Sequence, residues 1–307
     1  GQDLPFLQKK FLTEAQPIRR GIEDLHDKSK AIPLLEEKVQ KAKEKILPVW
    51  DQATPDTSLV NFAIEWDHEY EELYRSSGWG FFSADKPRHL DHKTREMIVC
   101  ALLAFRDRPG AYQHAKNALR QGATINELME VFSVAVFPGG GPTRVVGLEG
   151  LRKIVQEEDG HTPLERAPKT DSDKDEDYSN ESREEKVDRI TKKIHADMGY
   201  EDENISFGVE LDPDFFEVYS KVYWGFFEQE RCHLDPIVRE MVLLVVMTFR
   251  GLREEAYQHA KKALRLGATI NQLLECHEVC IPPAGLGQLH EGLRTLRIIS
   301  EEMKNES

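Results

Sequence analysis

Few sulfur atoms, no surplus of cations and no long apolar run set the first limits on this chain. Its 307 residues include four cysteines, Cys100, Cys232, Cys276 and Cys280. None forms a C-x-x-C pair, and their spacing does not suggest the disulfide framework of a small secreted domain. A reduced, cytoplasmic setting is therefore expected. No apolar stretch is long enough to cross a bilayer, so no membrane partner is expected. No signal-peptide pattern is visible at the N-terminus. Lys and Arg number 41 against 55 Asp and Glu, a net charge of −14. Binding a phosphate backbone needs clustered cations, which argues against a nucleic-acid partner. The apolar–polar alternation of a half-buried strand is missing throughout. What remains is 39% apolar and 31% charged residues, the composition of an ordinary soluble globular protein.

The strongest positive signal is a duplication. Residues 111–130 read AYQHAKNALRQGATINELME, and residues 256–275 read AYQHAKKALRLGATINQLLE. The two differ only at Asn117/Lys262, Gln121/Leu266, Glu127/Gln272 and Met129/Leu274. Self-similarity of this kind marks a tandem repeat. The expected organisation is an N-terminal helical arm (1–35), a first repeat (36–158), an acidic linker poor in apolar groups (159–183) and a second repeat (184–307).

Within each repeat the order of signals is the same. An aromatic–glycine cluster, Gly78-Trp79-Gly80-Phe81-Phe82 or Tyr223-Trp224-Gly225-Phe226-Phe227, comes first and is expected to pack helix ends. His89-Leu90-Asp91 and His233-Leu234-Asp235 follow, and each Asp is placed to cap a helix. Pro236 adds the favoured first-turn proline in the second copy. The helix then carries Arg95-Glu96 or Arg239-Glu240 before becoming apolar on all sides (MIVCALLAF, MVLLVVMTF), the mark of a buried central helix. A break leads to the Tyr-Gln-His helix. Gly122 and Gly267 end it as left-handed caps. Thr124 with Glu127, and Thr269 with Gln272, open another helix through capping boxes. Pro138 and Pro282 end that one, and a last amphipathic helix carries Leu148, Leu151 and Ile154 on one face. The fold class is all-α.

His114 and His259 are the leading candidates for chemistry, since imidazole exchanges protons near neutral pH. Glu96 and Glu240 sit one turn inside a greasy helix, where desolvation would raise their pKa and favour proton transfer. The bland alternatives are a hydrogen-bonded structural histidine and a Glu–Arg ion pair. Cys276 and Cys280, one helical turn apart, read as buried packing rather than redox groups. The second copy also gains His277 and Glu278 in place of Phe132 and Ser133, and His290 and Glu291 in place of Val145 and Val146. The set His259, His277, His290 and Glu291 suits a metal by residue type, but no tight ligand motif is present. Neither a metal nor a cofactor is therefore expected, and the extra histidines are expected at the interface between repeats.

This order of motifs resembles the carboxymuconolactone decarboxylase and alkylhydroperoxidase D-like superfamily. The resemblance implies two all-helical domains in tandem and places the family's Glu at Glu96 and Glu240 and its His at His114 and His259. It also implies ring assembly, so that three two-repeat chains would form a pseudo-hexameric homo-oligomer. The thiol-peroxidase branch keeps a C-x-x-C pair before the histidine. Here those positions hold Asp107 and Gly110, and Leu252 and Glu255, which leaves no thiol to attack a peroxide. The decarboxylase branch implies a cofactor-free lyase or isomerase acting on a small carboxylated molecule. The histidine would protonate the carbanion left by carbon dioxide, assisted by the Glu. Tyr112, Tyr257, Arg95, Arg239 and Arg120 could then bind substrate, arginine offering a planar fork to a carboxylate. The competing expectation is a non-catalytic ligand-binding or assembly protein of the same fold.

Overall fold

The structure, a computed structural model, describes residues 36–46, 58–77, 82, 88–157, 178, 180–225 and 232–306. The N-terminal arm, most of the acidic linker and the first aromatic–glycine cluster apart from Phe82 lie outside the described residues. All regular structure among the described residues is helical, and no described helix is long and apolar enough to cross a membrane. The chain divides into two compact units, 1–77 and 78–307.

The first unit contains α1 (36–46), α2 (Ser58–Trp66) and α3 (His68–Ser77). Ala42, Ile46, Val60 and Ile64 form its small core. Lys43 pairs with Glu65 and Lys45 with Glu72, tying α1 to the two helices that follow.

The second unit begins with α4 (His92–Phe105), α5 (Gly110–Arg120), α6 (Ile125–Val134) and α7 (Val136–Glu157). The caps read from sequence form as expected. Asp91 accepts from the Thr94 amide at 2.7 Å. Thr124 and Glu127 close a reciprocal capping box, and Gly122 takes φ +90°. α7 runs through the glycine-rich break but kinks at Gly140, whose φ is +71°. Pro142 follows, where its missing N–H would otherwise break a straight helix.

After the linker come α8 (Arg183–Met198), α9 (Glu203–Leu211) and α10 (Pro213–Ser220), ending in a π turn over Lys221–Gly225. Ile190, Ile194, Met198 and Val209 form a small cluster among them. α11 (Pro236–Arg250), α12 (Arg253–Arg265), α13 (Ile270–Glu278), the short α14 (Ile281–Ala284) and α15 (Leu286–Glu306) then repeat the α4–α7 pattern. Asp235, with Pro236 behind it, caps α11 by accepting from the Ile237 amide. Thr269 and Gln272 form the second capping box.

The two repeats share one core. Ile98, Leu102, Leu128 and Phe132 from the first repeat belong to the same buried cluster as Met241, Leu244, Leu273 and Ile299 from the second. Phe105 and Phe249, counterparts at the ends of α4 and α11, meet edge to face with centroids 6.0 Å apart. Equivalent residues touch each other only near a two-fold relation, so the repeats pack about an internal pseudo-two-fold axis. Cys100, Cys276 and Cys280 are fully buried in this core. Burial pushes all three thiols up, Glu96 adding to it at Cys100 and Cys280 at Cys276. They behave as small apolar packing groups.

Candidate functional site

The Glu and His singled out in each repeat meet across adjacent helices. His114 Nδ1, on α5, lies 2.6 Å from Glu96 Oε2, on α4. His259 Nδ1, on α12, lies 2.7 Å from Glu240 Oε2, on α11. The cause is local. α4 and α11 each end in a tight break, so the next helix folds back antiparallel and carries its histidine past the charged first turns of the buried helix.

The surroundings of the two pairs differ. The second-repeat pair lines a cavity of about 210 Å³ whose walls include Tyr200, Tyr219, Tyr223, Arg239, Lys262 and, from the first repeat, Phe137. Tyr219 and Tyr223 stack at 4.0 Å, and Phe137 packs on Tyr223 at 4.9 Å. Lys262 donates to the Asp197 carbonyl at 3.0 Å and stands 3.7 Å from Glu240 Oε1. Arg239 Nε donates to the same oxygen at 3.3 Å. The first-repeat counterpart of Lys262 is Asn117, which accepts from Gln113 and Arg120 along its own helix. The Asn117/Lys262 difference is visible in the sequence, and it puts a lysine beside the second pair where the first repeat has an asparagine.

Electrostatics at Glu240 depart from the sequence expectation of a raised pKa. Burial alone would raise it, since Glu240 is 1% exposed. The hydrogen bond from His259 and the charges of His259, Lys262 and Arg239 outweigh burial and hold its carboxyl below the usual range. Glu240 is thus a carboxylate that can only accept, and the Nδ1–H of His259 donates to it. The ring's other nitrogen, Nε2, is an acceptor in the neutral ring and a donor in the imidazolium. Four carboxylates border the cavity, but two have other roles: Asp197 pairs with Lys193, and Asp202 caps α9. Burial, and next the charge of Asp202, push the Tyr200 phenol up, so it remains a donor at neutral pH.

The other binding candidates fall elsewhere. The Tyr112 hydroxyl bonds to Glu157, and that of Tyr257 to Glu302 at 2.7 Å. Lys116 and Lys261 complete the same triad in each repeat. Both tyrosines therefore fasten the histidine helix to the last helix instead of lining the cavity. Arg95 is buried, and its Nε donates to Glu275 Oε1 at 2.7 Å while Nη1 donates to the Phe82 carbonyl. Arg120 is exposed on α5. Of the five proposed binding residues only Arg239 borders the cavity. The residues missed were Lys262, Tyr200, Tyr219, Tyr223 and Phe137; all but Lys262 come from segments whose folding onto α11 no local pattern announces.

His277, His290 and Glu291 do not converge. His277 is fully buried, packed against Gly292 and facing Gln288 of its own repeat. His290 is exposed, and Glu291 pairs with Arg253 and Arg294. No group of three His, Cys, Asp or Glu arranged to hold a metal occurs among the described residues.

Residues 69–152 and 213–297 each match the carboxymuconolactone decarboxylase family. A crystal structure from Burkholderia xenovorans LB400, whose protein carries the provisional name gamma-carboxymuconolactone decarboxylase subunit, is similar in fold. Its TM-score is 0.52 at 23% identity, over 90% of this chain and 98% of that one. No curated protein gives a significant match.

Proposed function

Because the chain belongs to the carboxymuconolactone decarboxylase family, we propose that its second repeat is a cofactor-free lyase or isomerase site acting by proton transfer on a small carboxylated molecule. The observation that carries this reading is the 2.7 Å contact between His259 Nδ1 and Glu240 Oε2 inside a cavity that also presents Lys262 and Arg239. Glu240 fixes the ring and stabilises the imidazolium, much as a carboxylate orients a catalytic histidine elsewhere. Lys262 is the cation best placed to hold a substrate carboxylate or a developing enolate oxygen. In a decarboxylation the C–C bond to the carboxylate breaks and carbon dioxide leaves. The electron pair delocalises into the neighbouring carbonyl, and Nε2–H of His259 delivers a proton to the carbanion carbon. Solvent then restores the proton to the ring. The tyrosine and phenylalanine walls exclude water from the carbanion and favour a flat ligand.

A second reading has one observation in its favour. Glu240 is held by three cationic groups, as a permanently charged structural or ligand-binding residue would be. Turnover separates the two. Purified protein is offered 4-carboxymuconolactone and related lactone acids, and carbon dioxide release is followed. The catalytic reading expects turnover that His259→Ala abolishes and His114→Ala leaves largely intact. Binding without turnover in the unaltered protein would leave the non-catalytic reading.

A further inference from the structure

One carboxylate of the second-repeat cavity is still unassigned. Glu255 borders the cavity from the first turn of α12. The other three are engaged: Glu240 by His259 and Arg239, Asp197 by Lys193, and Asp202 by the amides of Asn204 and Ile205. Among the described residues no hydrogen bond or ion pair holds Glu255. Glu255, His259 and Lys262 follow one another at i, i+4 and i+7, so they form a single stripe along α12, and all three line the cavity. Neighbours at i and i+4 stand about 5–6 Å apart at Cβ. The matching stripe of the first repeat is Gly110, His114 and Asn117. Only the second repeat therefore flanks its histidine with an acid on one side and a cation on the other.

An acid in a first turn also complements the helix dipole. Glu254 beside it does so from an exposed position, where it accepts from Gln258. Glu255 is half-buried instead, and its charge is felt inside the cavity. Burial, then the charges of Asp202 and Glu255, push the Tyr200 phenol up. Decarboxylation needs one proton delivered to carbon and none removed, so an unengaged carboxylate one turn from the donor has no task in it. A proton shift needs both a base and an acid, each within reach of one small molecule.

On the premise that His259 transfers protons at this site, we propose that Glu255 is its partner base and that the pair interconverts the keto and enol forms of flat 2-oxo carboxylic acids. The order of groups along α12 matches the order of atoms in such a molecule: Lys262 for the C1 carboxylate, His259 for the C2 carbonyl oxygen, Glu255 for the hydrogen on C3. The stacked Tyr219 and Tyr223, with Phe137 against Tyr223, offer a flat wall to an aromatic group on C3. Glu255 removes a proton from C3. The C–H electron pair becomes the C2–C3 double bond, and the carbonyl π pair moves to oxygen, which takes the proton from Nε2 of His259. Glu255 has then gained one proton and His259 lost one, and solvent carries it back. No carbon–carbon bond breaks and no electron acceptor is needed.

The probe is phenylpyruvate in deuterium oxide. Exchange of its C3 hydrogens is followed by NMR against the protein-free rate, with circular dichroism to confirm that each full-length variant keeps its helix. The unaltered protein is expected to accelerate exchange. Glu255→Gln, which keeps the size and removes the base, is expected to cut that acceleration about a hundredfold or more, and Glu255→Asp to restore part of it. His259→Ala is expected to cut it as well. No acceleration by the unaltered protein overturns the proposal. So does full exchange in Glu255→Gln, the result expected of an acid that only complements the helix dipole. Either result leaves the role of His259 standing if carbon dioxide release from 4-carboxymuconolactone is lost in His259→Ala and kept in Glu255→Gln. Exchange that His259→Ala leaves intact overturns the premise together with the pair.

Discussion

Glu275 of the second repeat accepts a hydrogen bond from Arg95 of the first, Nε to Oε1 at 2.7 Å, with Arg95 2% and Glu275 0% exposed. Its other oxygen accepts from the backbone amides of His89 and Leu90. The relation is reciprocal in its backbone part: Glu130 of the first repeat accepts from the amides of His233 and Leu234 in the second. Each repeat thus places a buried carboxylate on the segment that leads into the other's central helix. A buried charge is tolerated only when paired and fully hydrogen-bonded. Removing one partner leaves the other uncompensated, at a cost of about 3–5 kcal/mol. Glu275→Ala is therefore expected to lower unfolding free energy by about that amount in urea titration. Pairing Arg95→Met with Glu275→Leu should recover the part of the loss that comes from the stranded guanidinium, while the amides of His89 and Leu90 still lack their acceptor. Equal loss in the single and double variants would remove the pair from the account.

His277 supplies a pH prediction. Burial depresses its pKa from 6.5 to about 4. Its Nδ1 faces Gln288 Nε2 at 3.3 Å, and its Nε2 has no partner. Between about pH 6.5 and 4 the unfolded chain binds this proton and the folded chain does not. Stability therefore falls as pH drops through that window, by about 3 kcal/mol at full effect. The first repeat holds Phe132 at this position, packed on Gly147 as His277 packs on Gly292. His277→Phe should fit and flatten the stability profile between pH 4 and 6.5, read as melting temperature against pH. An unchanged slope would place the acid sensitivity elsewhere.

The glycines under those two rings give a packing prediction. A Cβ on Gly147 would come within 2.1 Å of the Phe132 ring, and one on Gly292 within 2.4 Å of His277. Such overlap forces a rigid ring to move, at a cost of about 1–3 kcal/mol. Gly147→Ala and Gly292→Ala are both expected to lower the denaturation midpoint. His277→Ala should relieve the second and not the first.

The helix pattern was legible because its signals are local. Asp91, Thr124, Thr269 and Gly122 act within one turn of themselves, so they reveal helix ends without knowledge of tertiary structure. The Glu–His pairs were legible for a related reason: two consecutive helices joined by a short break have few ways to pack. The partners of Arg95 and Tyr112 were not legible, because Glu275 and Glu157 lie 180 and 45 positions away. Nothing near a residue in sequence announces such a partner. The same holds for Tyr219 and Phe137, which reach the cavity only through the fold. Mutual capping between repeats also escaped, since Glu130 and Glu275 look like ordinary surface acids on amphipathic helices.

The Asn117/Lys262 difference yields the prediction that bears most directly on the candidate site. Arg239 from its own helix, with His259 and Lys262 from α12, holds Glu240 as a carboxylate, while Asp197, Asp202 and Glu255 border the same cavity. A group held below its usual range contributes stability above the unfolded value, and that contribution is lost as pH falls through the folded value. Replacing Lys262 with Asn, the residue the first repeat carries, removes one of the opposing charges. The acid limb of the stability curve should then move to higher pH. If a substrate carboxylate also meets Lys262, the loss of a charge-assisted bond worth about 1.5–3 kcal/mol should reduce kcat/KM roughly tenfold to a hundredfold. Asn117→Lys in the first repeat serves as the mirror experiment and is expected to leave turnover unchanged. A shifted acid limb with unaltered kinetics would make Lys262 a positioning residue for Glu240 alone. No change in either measurement would detach the lysine from the pair, and with it the argument that the second repeat is the tuned one.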